Sequence, residues 1–231
     1  MKRVADKSPW RLRAIFVIVP LAALSSCGGT VDPGTSSGGA GAAAELLPSG
    51  ERCDDGCDGT DDTCYSYSYD VAGNVALRKV DEGCDGVIDE CDHSTYDEQR
   101  RLDSYYHDAC DGAVYYCGAI VYGADNQGQD QGDAHCDGTP DFCDSVMLDS
   151  RGAVVSARME VGCTGEALGC VSMSYDVAGR LSRDENDLSC DGSVDECYRY
   201  TYDLDDSGRA IRSTKSTCDG TPVTCCAFTY D

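Results

Sequence analysis

The chain has 231 residues with 17 cysteines, and its 42 acidic against 18 basic side chains give a formal net charge of −24. So acidic a surface repels the phosphate backbone of nucleic acids, and we therefore expect no nucleic-acid partner. Because thiols stay reduced in the cytosol, this number of cysteines indicates an exported protein with an oxidised framework.

Residues 1–26 have the features of a signal peptide. Five Lys or Arg side chains precede an apolar run of 11 residues from Ala14 to Leu24. A run of this length is too short to span a bilayer as a helix and suits the core of a cleaved signal. After cleavage the chain would carry 13 basic and 41 acidic residues, a net charge of −28.

The signal ends in Leu24-Ser25-Ser26-Cys27, which resembles the lipobox of bacterial lipoproteins. The resemblance implies that Cys27 becomes the mature N-terminus and carries the lipid that holds the protein to a membrane. Gly28 follows instead of Asp, which by the same resemblance implies the outer membrane. The alternative is an ordinary signal peptide with an unrelated cysteine nearby.

Residues 27–52 are rich in Gly, Ser and Ala and show no hydrophobic period. This composition is typical of a flexible tether. At ~5–6 Å × √n, about 25 residues would hold the following domain some 25–30 Å from the anchor on average. We expect this tether to lift residues 53–231 beyond the lipid head groups.

Residues 53–231 form an array of seven units of 26 to 28 residues, six of them built on Cys-Asp-Gly-x-x-x-x-Cys and the fifth on the variant Cys163-Thr164-Gly165. A fixed internal period of this length indicates repeats that stack on their neighbours. The paired cysteines are Cys57 and Cys64, Cys84 and Cys91, Cys110 and Cys117, Cys136 and Cys143, Cys163 and Cys170, Cys190 and Cys197, and Cys218 and Cys225.

Each unit also has a second turn signal, Tyr-Asp-x-x-Gly, clearest at residues 69–73 and 175–179. The segments 64–69 and 197–202 alternate strictly and place their tyrosines on one face, as a β-strand does. Two strands and two turns per unit predict an all-β protein of tandem antiparallel hairpins, arranged as an elongated or curled meander sheet.

The cysteine pairs fit such hairpins. Two cysteines that flank a six-residue turn face each other across an antiparallel pair, where Cβ atoms lie ~4.5–5.5 Å apart. We therefore predict a disulfide within each pair, which contributes roughly 2–3 kcal/mol by closing a short loop. The alternative joins the second cysteine of one unit to the first of the next, across the Tyr-Asp turn.

Two further cysteines, Cys53 and Cys226, stand at the two ends of the array. They can bond each other only if the array curls until its ends meet. The favoured expectation is local, with Cys53 exchanging with Cys57 and Cys226 competing with its neighbour Cys225.

The segments Tyr69–Val75 (YDVAGNV) and Tyr175–Leu181 (YDVAGRL) resemble the YD repeat of the Rhs family, whose motif is Tyr-Asp-x-x-Gly-Arg-Leu. The resemblance extends over residues 53–231. In that family the repeats form β-hairpins that wrap into a spiral sheet, sometimes a hollow shell, and such arrays are carriers or surface binders. The longer period and the added cysteines of this chain favour an open or gently curled sheet.

The acidic turns raise the possibility of calcium, which takes six to eight oxygen ligands. Five aspartates lie between residues 54 and 62, but the third and seventh turns are poor in acids around Asp111 and Asp219. A repeated metal site should recur in every unit, so turn geometry better explains the Asp-Gly pairs. A calcium-binding surface module remains the alternative, and we expect no other cofactor.

Catalysis has little support in the sequence, and a hydrolase that uses a pair of carboxylates among the many acidic residues is a third alternative. The three histidines, His93, His107 and His135, occupy different places in their units, and no Gly-x-Ser-x-Gly motif is present. A spacing of seven between cysteines does not suit zinc. We predict a lipid-anchored envelope protein that is not an enzyme and has a structural, adhesive or binding role, with a Tyr-lined sheet offered to a protein or a glycan.

Overall fold

A computed structural model describes residues 47–123, 125–160 and 162–231. Cys27 and most of the predicted tether lie outside these ranges. Fourteen β-strands are present in the described residues: β1 (Pro48–Asp55), β2 (Thr63–Tyr69), β3 (Val75–Glu82), β4 (Glu90–Tyr96), β5 (Leu102–Asp108), β6 (Val114–Tyr122), β7 (Gln127–Asp133), β8 (Phe142–Leu148), β9 (Val154–Glu160), β10 (Ala167–Tyr175), β11 (Leu181–Asp187), β12 (Glu196–Leu204), β13 (Ala210–Thr217) and β14 (Pro222–Tyr230). The first strand thus begins at Pro48, before the predicted boundary of the array at residue 53.

The strands close into a barrel. Each pairs antiparallel with its neighbours along the chain, and β1 pairs with β14, with Cys53 opposite Cys226 at this seam. The prediction of an all-β array of antiparallel hairpins is confirmed, but the prediction of an elongated or curled open sheet is wrong. An open sheet would leave unpaired backbone N–H and C=O groups along two edges, and closure pairs both edges with each other.

A repeated irregularity explains the curvature. The ladder register shifts where the first strand of a Tyr-Asp hairpin ends, at Tyr69, Tyr96, Leu148, Tyr175 and Leu204. Bulges of this kind bend the strand and increase its twist. Because the bend recurs in successive hairpins, the sheet curls progressively until its first and last strands meet.

The tyrosine face of the sheet points into the barrel. Tyr67 and Tyr105 are buried, and Tyr106 and Tyr115 are the only two of the fourteen tyrosines that are exposed. On β2 the exposed Ser66 and Ser68 flank Tyr67. The predicted Tyr-lined contact surface is therefore wrong, because closure turns that face inward.

An apolar core lies on the inner side of β8 to β11. It is formed by Val146, Leu148, Val154, Ala157, Val171, Met173 and Leu181, with Tyr122, Met159, Tyr175 and Tyr200 packed against it. Leu148 stands where other units have the tyrosine of the Tyr-Asp turn. The fourth unit therefore replaces a hydrogen-bonding side chain by an apolar one.

The disulfides follow the alternative pairing and not the predicted one. The second cysteine of each unit bonds the first cysteine of the next, as in Cys64–Cys84, and the separations are 19 to 21 residues. The remaining bonds of this kind are Cys91–Cys110, Cys117–Cys136, Cys143–Cys163, Cys170–Cys190 and Cys197–Cys218. Cys84 lies in the tight turn after β3 with a positive φ of 53°, and it bonds Cys64 on the adjacent strand of its own hairpin and not Cys91.

The same rule continues around the ring. Cys225, the second cysteine of the last unit, bonds Cys57, the first cysteine of the first unit. Cys53 and Cys226 bond each other beside it, so two disulfides cross the seam between β1 and β14. The expectation of local exchange for Cys53 and Cys226 is therefore wrong, because the ends of the array do meet.

Candidate functional site

The barrel has two rims of different chemistry. The YD rim comprises the six turns that follow β2, β4, β6, β8, β10 and β12, together with the start of β1 and the end of β14. The Cys rim comprises the seven turns that follow the odd-numbered strands. The chain enters the barrel at the YD rim, because β1 begins there at Pro48.

Six of the seven even-numbered strands have, near the YD rim, a tyrosine whose hydroxyl bonds the preceding strand. The exception is β8, where Leu148 takes the place of the tyrosine. Each hydroxyl donates a hydrogen bond to the carbonyl of the first residue of the preceding odd-numbered strand. The pairs are Tyr69 to Pro48 (2.5 Å), Tyr96 to Val75 (3.0 Å), Tyr122 to Leu102 (2.8 Å), Tyr175 to Val154 (2.7 Å), Tyr202 to Leu181 (3.0 Å) and Tyr230 to Ala210 (2.6 Å). Each bond satisfies a carbonyl at the point where a strand begins.

The aspartate of the Tyr-Asp turn organises the turn itself. Oδ1 of Asp176 accepts hydrogen bonds from the backbone N–H groups of Ala178 and Arg180, both at 2.9 Å. Hydrogen bonds of this kind lower the pKa of the Asp176 carboxyl, although burial opposes them. Oδ2 accepts from Nε of Arg180 at 2.7 Å, so the turn is closed by both main-chain and side-chain bonds.

The arginine then reaches the next unit. The guanidinium of Arg180 lies over the ring of Tyr202, 5.1 Å from its centroid. Equivalent contacts join Arg101 to Tyr122, Arg151 to Tyr175 and Arg209 to Tyr230. The Tyr, Asp and Arg positions of the motif thus couple neighbouring hairpins through cation–π and charge-assisted contacts.

The sixth copy shows how the turn tolerates an insertion. Asp205, and not Asp203 directly after Tyr202, accepts the backbone N–H groups of Ser207 and Arg209. The two extra residues lengthen β12 to Leu204 and leave the turn unchanged.

The Cys rim is built on a different aspartate pattern. Asp81, three residues before Cys84, accepts the backbone N–H groups of Asp85 and Gly86 at 3.0 and 2.9 Å. Asp89 accepts the N–H of Glu82 from the other side of the turn. Asp54, Asp133 and Asp187 occupy the place of Asp81 in other units. These carboxylates are acceptors for turn amides, as the sequence interpretation expects, and calcium binding stays a prediction.

A charged cluster lies on the inner side of β3 to β5. Arg78 donates to Oδ2 of Asp92 through Nε at 2.6 Å, and His107 bonds the other oxygen of Asp92 through Nδ1. Oε1 of Glu90 lies 3.3 Å from the same nitrogen of His107. Two cationic and two anionic groups therefore neutralise one another inside the barrel.

The pKa values of His107 and Asp92 in this cluster differ from the ordinary values of these side chains. Burial alone would lower the pKa of His107, but hydrogen bonds to Asp92 and Glu90 outweigh it and raise that pKa to about 9. Burial would likewise raise the pKa of Asp92, but His107 and Arg78 lower it to about 2. Both groups are therefore charged at neutral pH.

A second buried group lies on β7 and β8. Asp130 and Asp144 are opposite each other in the ladder and almost completely buried. The hydroxyl of Tyr105 donates to both oxygens of Asp130, at 2.9 and 3.1 Å. Burial raises the pKa of Asp130 to about 7 and that of Asp144 to about 6. Among the described residues, neither Asp130 nor Asp144 has a basic partner such as Arg78 provides for Asp92. Burial therefore favours the protonated form of these two carboxyl groups.

Among the described residues, four groups bring three or more possible metal ligands together. Three of them contain cysteines that are held in disulfides, which leaves Glu90, Asp92 and His107. Arg78 already pairs with Asp92, and a cation beside the ligands opposes a metal ion. The arrangement links β3, β4 and β5 through side-chain contacts.

The outer face of the strands is mostly polar. Exposed, outward-pointing side chains include Ser66, Lys79, Gln129, Arg183 and Thr201. Apolar residues on this face, such as Val121 and Met147, occur singly. A barrel that spans a bilayer shows the opposite distribution, with an apolar band outside and a polar lumen. Among residues 47–123, 125–160 and 162–231, no helix is long and apolar enough to cross a membrane.

The fourteen paired cysteines of the repeats all lie near the Cys rim and all form disulfides, although with partners other than those predicted. The interior groups Arg78, Asp92, Tyr105 and Asp130 have no counterpart in the sequence predictions. The alternation of residues along β7 could have indicated that Asp130 is buried. Asp130 lies on the same face of the strand as Gly128 and Gly132, and the exposed glutamines lie on the other face.

Comparison with known proteins shows similarity in structure only. No protein-family model matches the sequence, and no curated protein matches it. The fold is similar to that of a porin-like protein from Bacteroides vulgatus, with a TM-score of 0.50 and 8% identity over 81% of this chain and 99% of that one. This similarity concerns the all-β fold and carries no information on activity.

Two further structures align less well. A porin-like protein from Bacteroides uniformis has a TM-score of 0.31 and 11% identity over 80% of this chain and 96% of that one. The Tc holotoxin pore of Photorhabdus luminescens has a TM-score of 0.29 and 12% identity over 70% of this chain and 9% of that one. Neither score is high enough to support an argument.

Proposed function

We propose that this chain is a lipid-anchored protein of the bacterial cell envelope, in which a closed, disulfide-bonded barrel has a structural or binding role and no catalytic activity. The barrel stands in water and is joined to the outer membrane through the lipid on Cys27. Its polar outer face supports this arrangement over insertion into the bilayer. The partner would be a protein or a glycan of the envelope, and not nucleic acid.

The cysteine pairing carries this proposal. The sequence has 17 cysteines, and sixteen of them form eight disulfides with one another. No cysteine of the described residues is left to pair with Cys27. Without a partner, Cys27 would be a free thiol in an oxidising compartment, whereas lipidation would convert that thiol to a thioether.

The absence of catalysis is supported by the state of the interior groups. His107, the buried histidine, is held between two carboxylates and is charged at neutral pH, so it is a poor general base. The hydroxyl of Tyr105 is bonded to Asp130. Both side chains are buried inside the barrel, where each is bonded to carboxylates.

We further propose that the units are a cysteine-bearing form of the YD repeat. In five turns the Asp of the motif forms the turn through backbone N–H groups, as at Asp70, Asp97 and Asp149. The tyrosine, the glycine with positive φ and the arginine each have a separate contact. The repeated use of the same positions for the same contacts supports the assignment of these units to one kind of repeat.

The anchor is tested by expressing the full chain in a Gram-negative host and following incorporation of labelled palmitate. We expect the natural sequence and a control, Ser36→Ala, to carry label and to fractionate with the outer membrane. The Cys27→Ser variant should carry no label and should appear in the soluble fraction. Label on Cys27→Ser, or an unlabelled natural sequence, would overturn the proposal.

A further inference from the structure

The two rims differ sharply in charge. The seven connecting segments of the Cys rim contain twelve Asp or Glu residues and no Lys or Arg. The six connecting segments of the YD rim contain eight acids and five arginines. The Cys rim is therefore repelled by a surface of anionic lipid much more strongly than the YD rim is.

The chain also enters the barrel at the less acidic rim. Pro48 begins β1 there, and its carbonyl accepts the hydroxyl of Tyr69. Nineteen residues lie between Cys27 and Leu47, which limits the distance between these two residues to about 70 Å even when the segment is fully extended. A lipid on Cys27 would therefore pull on the YD rim, and the tether holds that rim at high effective concentration beside the membrane.

Two apolar side chains project from the same rim. Val71 and Val177 have relative exposures of 110% and 105%, and each occupies the tip of a Tyr-Asp turn. The corresponding positions of three other turns hold the polar residues Glu98, Ser150 and Asp206. The two turns lie eight strands apart in one direction and six in the other, so the valines stand on opposite sides of the rim.

We propose that the YD rim rests on the lipid surface that holds the anchor, with Val71 and Val177 as two contact points and the acidic Cys rim facing away. The proposal rests on the lipid anchor at Cys27. Each valine alone offers too little apolar area for lasting membrane attachment, and the contact is effective because the anchor makes it intramolecular. Two points on opposite sides hold the barrel upright, and repulsion of the Cys rim opposes tipping.

Tryptophan fluorescence can report on single positions of this protein. The only tryptophan of the sequence, Trp10, lies in the predicted signal peptide, so the processed chain would contain none. Single-tryptophan variants Val71→Trp and Val177→Trp report on the YD rim. Val87→Trp is the matched control on the Cys rim, where Val87 is 62% exposed. All three substitutions are at exposed positions and should leave the fold intact.

The lipidated variants are reconstituted in vesicles of phosphatidylcholine and phosphatidylglycerol that contain a lipid spin-labelled near the head group. We expect the tryptophan emission of Val71→Trp and Val177→Trp to shift to shorter wavelength and to lose most of its intensity. The emission of Val87→Trp should be the same with and without the spin label.

The outcomes separate the two proposals. Equal quenching at all three positions, or stronger quenching at Val87→Trp, would overturn the orientation. Vesicle-bound protein without quenching at any position would also overturn it and leave the anchor standing. If the natural sequence fails to sediment with vesicles, as we expect only for Cys27→Ser, then the anchor itself is refuted.

Discussion

The two disulfides at the seam make a prediction that depends on barrel closure. Cys53–Cys226 and Cys57–Cys225 span 173 and 168 residues, whereas the other six span 19 to 21. In the chain-entropy model the first bond across the seam contributes about 5 kcal/mol, because it closes a very long loop. The second then closes only a small ring and adds about 2 kcal/mol.

Removal of the two seam bonds should therefore be strongly non-additive. Either Cys53→Ser with Cys226→Ser, or Cys57→Ser with Cys225→Ser, should lower the free energy of unfolding by about 2 kcal/mol, since the surviving bond still closes the loop. Removal of both should lower it by about 7 kcal/mol, which leaves a coupling energy of about 3 kcal/mol.

The assay is guanidinium unfolding of the oxidised protein, followed by tyrosine fluorescence. The matched control removes Cys64–Cys84 and Cys143–Cys163, which lie in separate hairpins with separations of 20 residues. Each should contribute about 3 kcal/mol, and together they should be additive within about 0.5 kcal/mol. If the effects of removing the two seam bonds are as additive as those of the control bonds, then the pairing of β1 with β14 is refuted.

Four other predictions concern the rims and the interior. Tyr175→Phe leaves the Val154 carbonyl without its hydroxyl donor and should lower the free energy of unfolding by about 1 kcal/mol in denaturant titration, while Tyr106→Phe on the exposed face should have no effect. The folded-state pKa of Asp130, about 7, lies above its ordinary value of 3.8, so its contribution to stability is lost as pH rises from about 4 to 7. Asp130→Asn should flatten that part of the stability–pH curve, and an unchanged slope would contradict the burial argument. The raised pKa of His107, about 9 against 6.5, predicts a further loss above pH 6.5 that is complete beyond pH 9, and His107→Gln should remove it. Addition or chelation of calcium should leave the melting temperature unchanged, because the turn carboxylates already accept backbone N–H groups; a shift of several degrees would favour the calcium-binding alternative.

Strand alternation was sufficient to predict the hairpins. The alternating Tyr and Ser of β2 and the turn residues at Gly73 and Gly179 indicate strands and turns directly, because both are local properties of the backbone. The same alternation placed the tyrosines on one face of the sheet. It did not show that this face would be inside, since that depends on whether the sheet closes.

The disulfide pairing shows the limit of local reasoning most clearly. A spacing of seven made Cys57 and Cys64 the natural partners, but Cys57 bonds Cys225 across the seam. Sequence alone weighed both pairings and favoured the shorter loop. The deciding factor was which neighbouring strand each turn lies beside in the closed barrel, which spacing does not report.

Local sequence therefore determined the all-β class, the seven hairpins, the two kinds of turn and the excess of acid in one of them. Each follows from residues close together in the chain. Only the tertiary structure decided closure, the pairing of sixteen cysteines, the inward burial of the tyrosines and the charged cluster around His107. These depend on the accumulated bend of successive bulges, which brings β1 beside β14, and such a sum over the whole array has no signature in any one unit.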